Sequence, residues 1–229
     1  MSRDVRRRAV AEALGTAFLV CGVVGSGIAA QRLSPSDVGL QLLQNSVATG
    51  AVLVALILAL QPVSASFNPV VTVVEAALGR VGASVAVALV AAQVMGGLVG
   101  AVVANLMFDL APVSVASQER GGAGQLVGEV VATLGLVVVV FGALRSPRAE
   151  TVAFAVGGYI TAAYWFTSST SFANPAVTLA RTLSDTFAGI APGSVAGFVL
   201  MQVVGGVLGF LAVRALHPPA PISLDQESS

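Results

Sequence analysis

The sequence predicts an all-α membrane protein: six transmembrane helices plus two re-entrant half-helices, arranged as an inverted repeat. Three observations carry this. Of 229 residues, 56% are hydrophobic and only 10% are charged, whereas soluble domains run to about a quarter charged. A soluble fold of this size would lack the polar side chains to cover its surface. The few charges also cut the chain into long blocks, each able to hold the ~20 apolar residues of a membrane span. Two blocks exceed one span, and the excess in both contains an Asn-Pro pair.

The first block, Ala9 to Gln31, holds one charge, Glu12. The Arg-rich start before it mimics a secretory leader, but the apolar run is long enough to span and further spans follow. Val38 to Val74 has no charge and contains a span followed by Asn68-Pro69. Proline suits the first turn of a helix, where its missing N–H costs nothing, and Asn before it is a good N-cap. A helix is therefore expected from Pro69 to about Gly79, too short to cross. Val81 to Phe108 supplies the third span.

The order then repeats. Gly121 to Leu144 carries one charge, Glu129. Thr151 to Ala180 is an uncharged span ending in Asn174-Pro175, with a half-helix expected to about Ser184. Thr186 to Val213 is the last span. Short matches mark the register: Ala11-Glu12-Ala13-Leu14-Gly15-Thr16 with Gly128-Glu129-Val130-Val131-Ala132-Thr133, and Gln93-Val94-Met95-Gly96-Gly97 with Gln202-Val203-Val204-Gly205-Gly206. Three spans per half is an odd number, so the halves, about 9–108 and 121–216, run in opposite directions through the membrane. Together they are expected to form a single channel domain over 1–229. The Pro- and Ser-rich tail, about 217–229, reads as disordered.

The 11 basic residues are all arginine. Eight of them (Arg3, Arg6, Arg7, Arg8, Arg80, Arg145, Arg148 and Arg214) fall on one side of the six-span arrangement, against Arg32, Arg120 and Arg181 on the other. The positive-inside rule then puts both termini in the cytoplasm. Net charge is zero, so nothing points to nucleic acid. A single cysteine, Cys21, excludes an intrachain disulfide, and the only histidine, His217, lies in the tail. No metal-ligand cluster or nucleophile–base pair appears, so neither a cofactor nor an enzyme is expected. Paired Gly96-x-x-x-Gly100 and Gly205-x-x-x-Gly209 runs offer small faces for close helix crossing.

Two half-helices dipping from opposite faces meet N-terminus to N-terminus, aim the positive ends of their dipoles at the midplane and disfavour cations there. A small neutral solute still accepts hydrogen bonds from the Asn68 and Asn174 amides. On these boxes (Asn68-Pro69-Val70 and Asn174-Pro175-Ala176), the Ala11–Thr16 start and the two Gln-x-x-Gly-Gly runs, the chain resembles the aquaporin, or major intrinsic protein, family from Arg8 to about Leu216. The resemblance implies a multi-pass protein of the bacterial inner membrane that forms a homotetramer in the lipid bilayer, with one pore per protomer. It also implies that Glu12 and Glu129 hydrogen-bond backbone amides of the re-entrant loops.

The chain departs from the family at two places. Val70 stands where Ala is usual in the first box. Val177 stands where most members carry the Arg of the outer constriction. Ungapped spacing from each Asn places the other constriction residues at Ala48, Ala162 and Ser171, with Thr49 and Thr161 as rivals in the two spans. Arg181, four residues after Val177 on the same helical face, is a candidate for the outer vestibule or an interfacial arginine at the half-helix end. Phe67, Phe172, Tyr159, Tyr164, Trp165 and Phe166 read as packing or interface anchors. The expected filter is thus wide and mostly apolar, without Arg or His. That fits passive conduction of water together with glycerol, urea or metalloid hydroxides such as arsenite. A water-selective pore is an alternative within the same class. An inverted-repeat secondary transporter is another, and would need Glu12 or Glu129 as its coupling group.

Overall fold

A computed structural model describes residues 1–148 and 150–218. It contains α1 (Arg3–Leu33), α2 (Val38–Leu60), α3 (Pro69–Ala77), α4 (Ala83–Met107), α5 (Ala123–Ala143), α6 (Glu150–Phe166), α7 (Pro175–Ala180) and α8 (Pro192–Leu216), with a 3-10 turn at Arg181–Leu183 following α7. Of the expected C-terminal tail, residues 219–229 lie outside the described residues.

Five of the six long helices, all but α6, have the length and composition to cross a membrane. The 17 residues of α6 span ~26 Å at 1.5 Å per residue, close to the ~30 Å hydrocarbon core. The 9 residues of α3 reach ~14 Å, about half the core. The 6 residues of α7, continued by the 3-10 turn, reach about as far. α1 starts earlier than its apolar run: Ser2 caps it through Val5 N, and the arginine-rich segment forms its first turns.

Both half-helices begin as the Asn-Pro pairs dictate. Asn68 Oδ1 accepts from Val70 N at 2.9 Å, and Asn174 Oδ1 accepts from Ala176 N at 3.0 Å and Val177 N at 3.3 Å. Proline occupies the first helical turn in each. With six crossing helices and two that turn back, the start of α1 and the end of α8 lie on one face. α3 ends toward that terminal face and α7 toward the opposite, far face.

Packing repeats between the halves. α1 lies along α4 and α5 along α8, and the two Gly-x-x-x-Gly runs are the contact. A Cβ on Gly96 would sit 2.1 Å from Ala13 O, and one on Gly100 2.2 Å from Ala17 O. Across the other pair, a Cβ on Gly205 would sit 2.6 Å from Val130 O, and one on Gly209 2.7 Å from Val137 Cβ. The backbones touch, which is how helices associate where lipid removes most of the hydrophobic drive. α2 and α6 cross at Gly50 and Gly157 in the same way, each Cβ position lying within 3 Å of the other's carbonyl.

Connections on the far face are tied down by polar side chains. Asn105 Nδ2 donates to Leu183 O at 2.9 Å, and Ser184 Oγ donates back to Asn105 Oδ1 at 2.7 Å. Arg120 donates through Nε to Gly189 O at 2.8 Å and through Nη2 to Phe187 O at 3.2 Å. Burial lowers the Arg120 guanidinium to about 10, still protonated at neutral pH.

Gly96→Val is expected to force α1 and α4 apart. Overpacking of this kind costs about 1–3 kcal/mol, so the thermal unfolding midpoint in detergent should drop. Gly142→Ala, where a Cβ meets nothing within 4 Å, should leave it unchanged.

Candidate pore and its two Asn-Pro boxes

The two boxes meet and bond across the pseudo-two-fold. Asn68 Nδ2 donates to Ala173 O at 2.7 Å, and Asn174 Nδ2 donates to Phe67 O at 2.7 Å. The carbonyl owners, Phe67 (φ 47) and Ala173 (φ 48), precede the two Asn residues and are both left-handed. Non-glycine residues occupy that region only where their surroundings hold them.

Two buried carboxylates do the holding. Glu12 Oε2 accepts from Phe67 N at 2.7 Å, and its Oε1 from Ser66 N at 2.9 Å and Ser64 Oγ at 2.5 Å. Glu129 accepts from Phe172 N and Ala173 N, both at 2.9 Å. Gln93 Nε2 bridges Glu12 Oε2 and Thr72 Oγ1, both at 2.8 Å. Gln202 Nε2 repeats this with Glu129 Oε2 at 2.6 Å and Thr178 Oγ1 at 2.8 Å. Both carboxylates are fully buried. Among the described residues neither has an ion-pair partner, the one salt bridge being Arg7–Asp4. Their oxygens are met by directed N–H donors and, on Glu12, by the Ser64 hydroxyl; hydrogen bonds to a carboxylate are the strong class.

Val70 does not disturb the junction. Its side chain turns toward α8, where a Cβ on Gly206 would lie 2.5 Å from Val70 Cγ1. The extra bulk is absorbed there, and the two cross-box bonds keep equal length.

A cavity of about 260 Å³ runs past both Asn residues, from Arg8, Gln61 and Glu75 at the terminal face to Thr49, Tyr164, Ser171, Val177 and Arg181 toward the far face. Its walls are helical stripes spaced four residues apart: Thr49, Leu53, Ile57 and Gln61 on α2, Val152, Val156, Ile160 and Tyr164 on α6, and Leu136, Val140 and Leu144 from α5 onward. Residues four apart share a helix face. Each Asn amide has two hydrogens; one is used in the cross-box bond.

The far end bears on the sequence expectations in three respects. Ala48 does not line the cavity; its rival Thr49 does. Ala162 is exposed on the outer surface, and the residue that lines is Tyr164. Thr161, the rival, bonds Gly157 O at 2.8 Å within α6. Ungapped spacing assumed a fixed loop length before each Asn. Each residue of error turns the helix by ~100°, so two residues carry a position to the opposite face. Ser171 and Val177 do line the cavity.

Second, the end is not free of aromatic side chains. Tyr164 and Phe172 line it rather than serving only as anchors, and Phe67 lines the cavity beside the first box, while Trp165 and Phe166 are exposed. Thr49 Oγ1 and Tyr164 OH lie 3.1 Å apart in a hydrogen bond from α2 to α6. Ser171 Oγ is buried without a protein partner.

Third, the end has an arginine. Arg181 is only 2% exposed and lines the cavity, so it is not an interfacial residue. Its Nε donates to Ala188 O, and its guanidinium carbon sits 3.5 Å from the Phe172 ring centroid. Arg120 approaches the same ring at 5.0 Å.

A family model described as "Major intrinsic protein" matches residues 1–162. The chain belongs to the major intrinsic protein family. That match includes the first box and stops before the second. The chain is 49% identical over 226 residues, 98% of its own length and 96% of the relative's, to a protein named aquaglyceroporin AqpS from Rhizobium meliloti (strain 1021). Its fold is similar to the X-ray structure of the aquaglyceroporin from Plasmodium falciparum, with a TM-score of 0.73 at 17% identity, covering 93% of this chain and 98% of that one. The protein is a multi-pass membrane channel and not an enzyme.

Replacing Glu129 with Gln keeps the shape and swaps an acceptor for a donor facing backbone N–H groups. Leaving a buried donor unmet costs about 1–3 kcal/mol. The variant is expected to unfold at lower temperature in detergent and to lose solute flux in parallel; unchanged stability would mean the left-handed turn at Ala173 does not depend on the carboxylate.

Proposed function

We propose that the chain is a single aquaglyceroporin-type channel domain passing small uncharged solutes, with water, glycerol, urea and metalloid hydroxides such as arsenous acid as its class. The observation that carries this is the placement of both box asparagines on one continuous, largely apolar cavity. Apolar walls strip water from a solute and the two amides return hydrogen bonds at one depth, a balance that suits neutral polar molecules and penalises ions. The high similarity to a protein named as an aquaglyceroporin supports the same class.

In this reading Thr49, Tyr164, Ser171 and Val177 form the filter, with Arg181 beside it. Three hydroxyls and one guanidinium offer donors, while Val177 leaves open the space that a longer side chain would fill. A coupled transporter fits less well. Glu12 and Glu129 do not line the cavity, and their oxygens are occupied by donors. The face bearing both termini is assigned to the cytoplasm of a bacterial inner membrane on the arginine count. Exposed apolar side chains such as Val47, Trp165 and Phe166 face lipid or neighbouring protomers in a homotetramer.

The reading is tested with a solute panel (water, glycerol, urea and arsenite) in proteoliposomes by stopped-flow light scattering. Flux of water alone would refute the wider class, and no flux would refute the channel. Val177→Arg is expected to cut glycerol-sized flux more than water flux. Equal loss of both, or of neither, would remove Val177 from the filter.

A further inference from the structure

Resting on the channel reading, we infer that Glu75 is a specificity-determining residue that keeps anions out of the pore. The groups that face the cavity around its middle and far end favour negative charge: the Asn68 and Asn174 amides and the Arg181 guanidinium all present N–H donors. They oppose cations, but they would welcome chloride or nitrate. Something must oppose anions. Glu75 is the one carboxylate among the residues lining the cavity, since Glu12 and Glu129 are spent inside the protein on backbone amides.

Its position is not incidental. Glu75 lies seven residues after Asn68, and Arg181 lies seven residues after Asn174. The inverted repeat therefore puts opposite charges at equivalent positions, one at each end of the same cavity. Glu75 stands at the terminal-face end, fixed through Oε2 by Ser66 Oγ at 3.0 Å. Its Oε1 takes no hydrogen bond from the described residues and is left to the cavity. Arg8 lines the same mouth, and both it and Arg80 act on Glu75 electrostatically, but neither forms an ion pair with it, Arg7–Asp4 being the only one among the described residues. An anion drawn toward Arg181 from the far face thus meets a carboxylate without an ion-pair partner before it can leave, where a unit charge acts at short range through little water. A neutral solute feels no such barrier.

The test uses the full chain in planar bilayers and proteoliposomes, comparing wild type with Glu75→Gln, Glu75→Asp and Glu75→Arg. Current under a potassium chloride gradient gives ion selectivity, and stopped-flow glycerol uptake reports the neutral path. Glu75→Gln is expected to raise chloride permeability about tenfold or more and to move the reversal potential toward that of chloride, with glycerol flux retained. Glu75→Arg should leak more and Glu75→Asp should behave as wild type. The inference is overturned if Glu75→Gln and Glu75→Arg carry glycerol yet pass no more chloride than wild type. It is equally overturned if the leak does not discriminate potassium from chloride, or if Glu75→Asp leaks as much as Glu75→Gln. Absence of glycerol and water flux in wild type would instead bring down the channel reading on which the inference stands.

Discussion

Everything in the pore depends on how two pieces of irregular backbone survive at membrane depth. Unmet N–H and C=O groups there are costly, and irregular chain persists only where protein or a wet cavity satisfies it. Here one pattern is used twice. A buried glutamate takes the N–H of the left-handed residue before each Asn, and the Asn of the opposite half takes that residue's carbonyl. Each half thus completes the other. Neither loop is satisfied alone, so the midplane junction forms only when both halves are in place.

The same pattern explains why the glutamates tolerate burial. A carboxylate buried in hydrocarbon without hydrogen-bond partners is costly. Glu12 instead meets four donors and Glu129 three. The glutamines that complete each set, Gln93 and Gln202, also reach Thr72 and Thr178 on the half-helices. Each carboxylate is thereby linked to the helix that its loop introduces. The close Gly crossings of α1 on α4 and α5 on α8 allow this reach, because the carboxylate sits on one helix of each pair and the glutamine on the other.

Much of this was legible in the sequence. Charge spacing marked the spans, and the two Asn-Pro pairs marked both half-helix starts, because those signals are local: a cap, a fixed φ, a missing donor. The lining of the far end was less legible, because it depends on rotation about helix axes and on loop lengths. The cavity is lined by Thr49, the named alternative to Ala48, and by Tyr164, two residues from Ala162. The stripe Val152, Val156, Ile160 and Tyr164 was present as a four-residue rhythm and would have pointed to Tyr164 without any assumption about the loop. Arg181 was harder. Its side chain reaches the cavity because the connection at 184–191 folds back to offer Ala188 O, and Phe172 offers its ring. Both are long-range contacts with no local signature.

The placement of that arginine accounts for the character of the far end. A guanidinium at position 177 would stand one residue after the box and occupy the passage. At position 181 it is attached ~6 Å further along the half-helix axis, stacked on Phe172 and tethered to a backbone carbonyl. Its positive charge therefore still bears on the cavity, while the volume beside the box is left to a valine. Charge and width, which a single residue would fix together, are thereby set by two side chains one turn apart. Under the proposed channel reading, this arrangement opposes cations electrostatically while leaving room beside the second box.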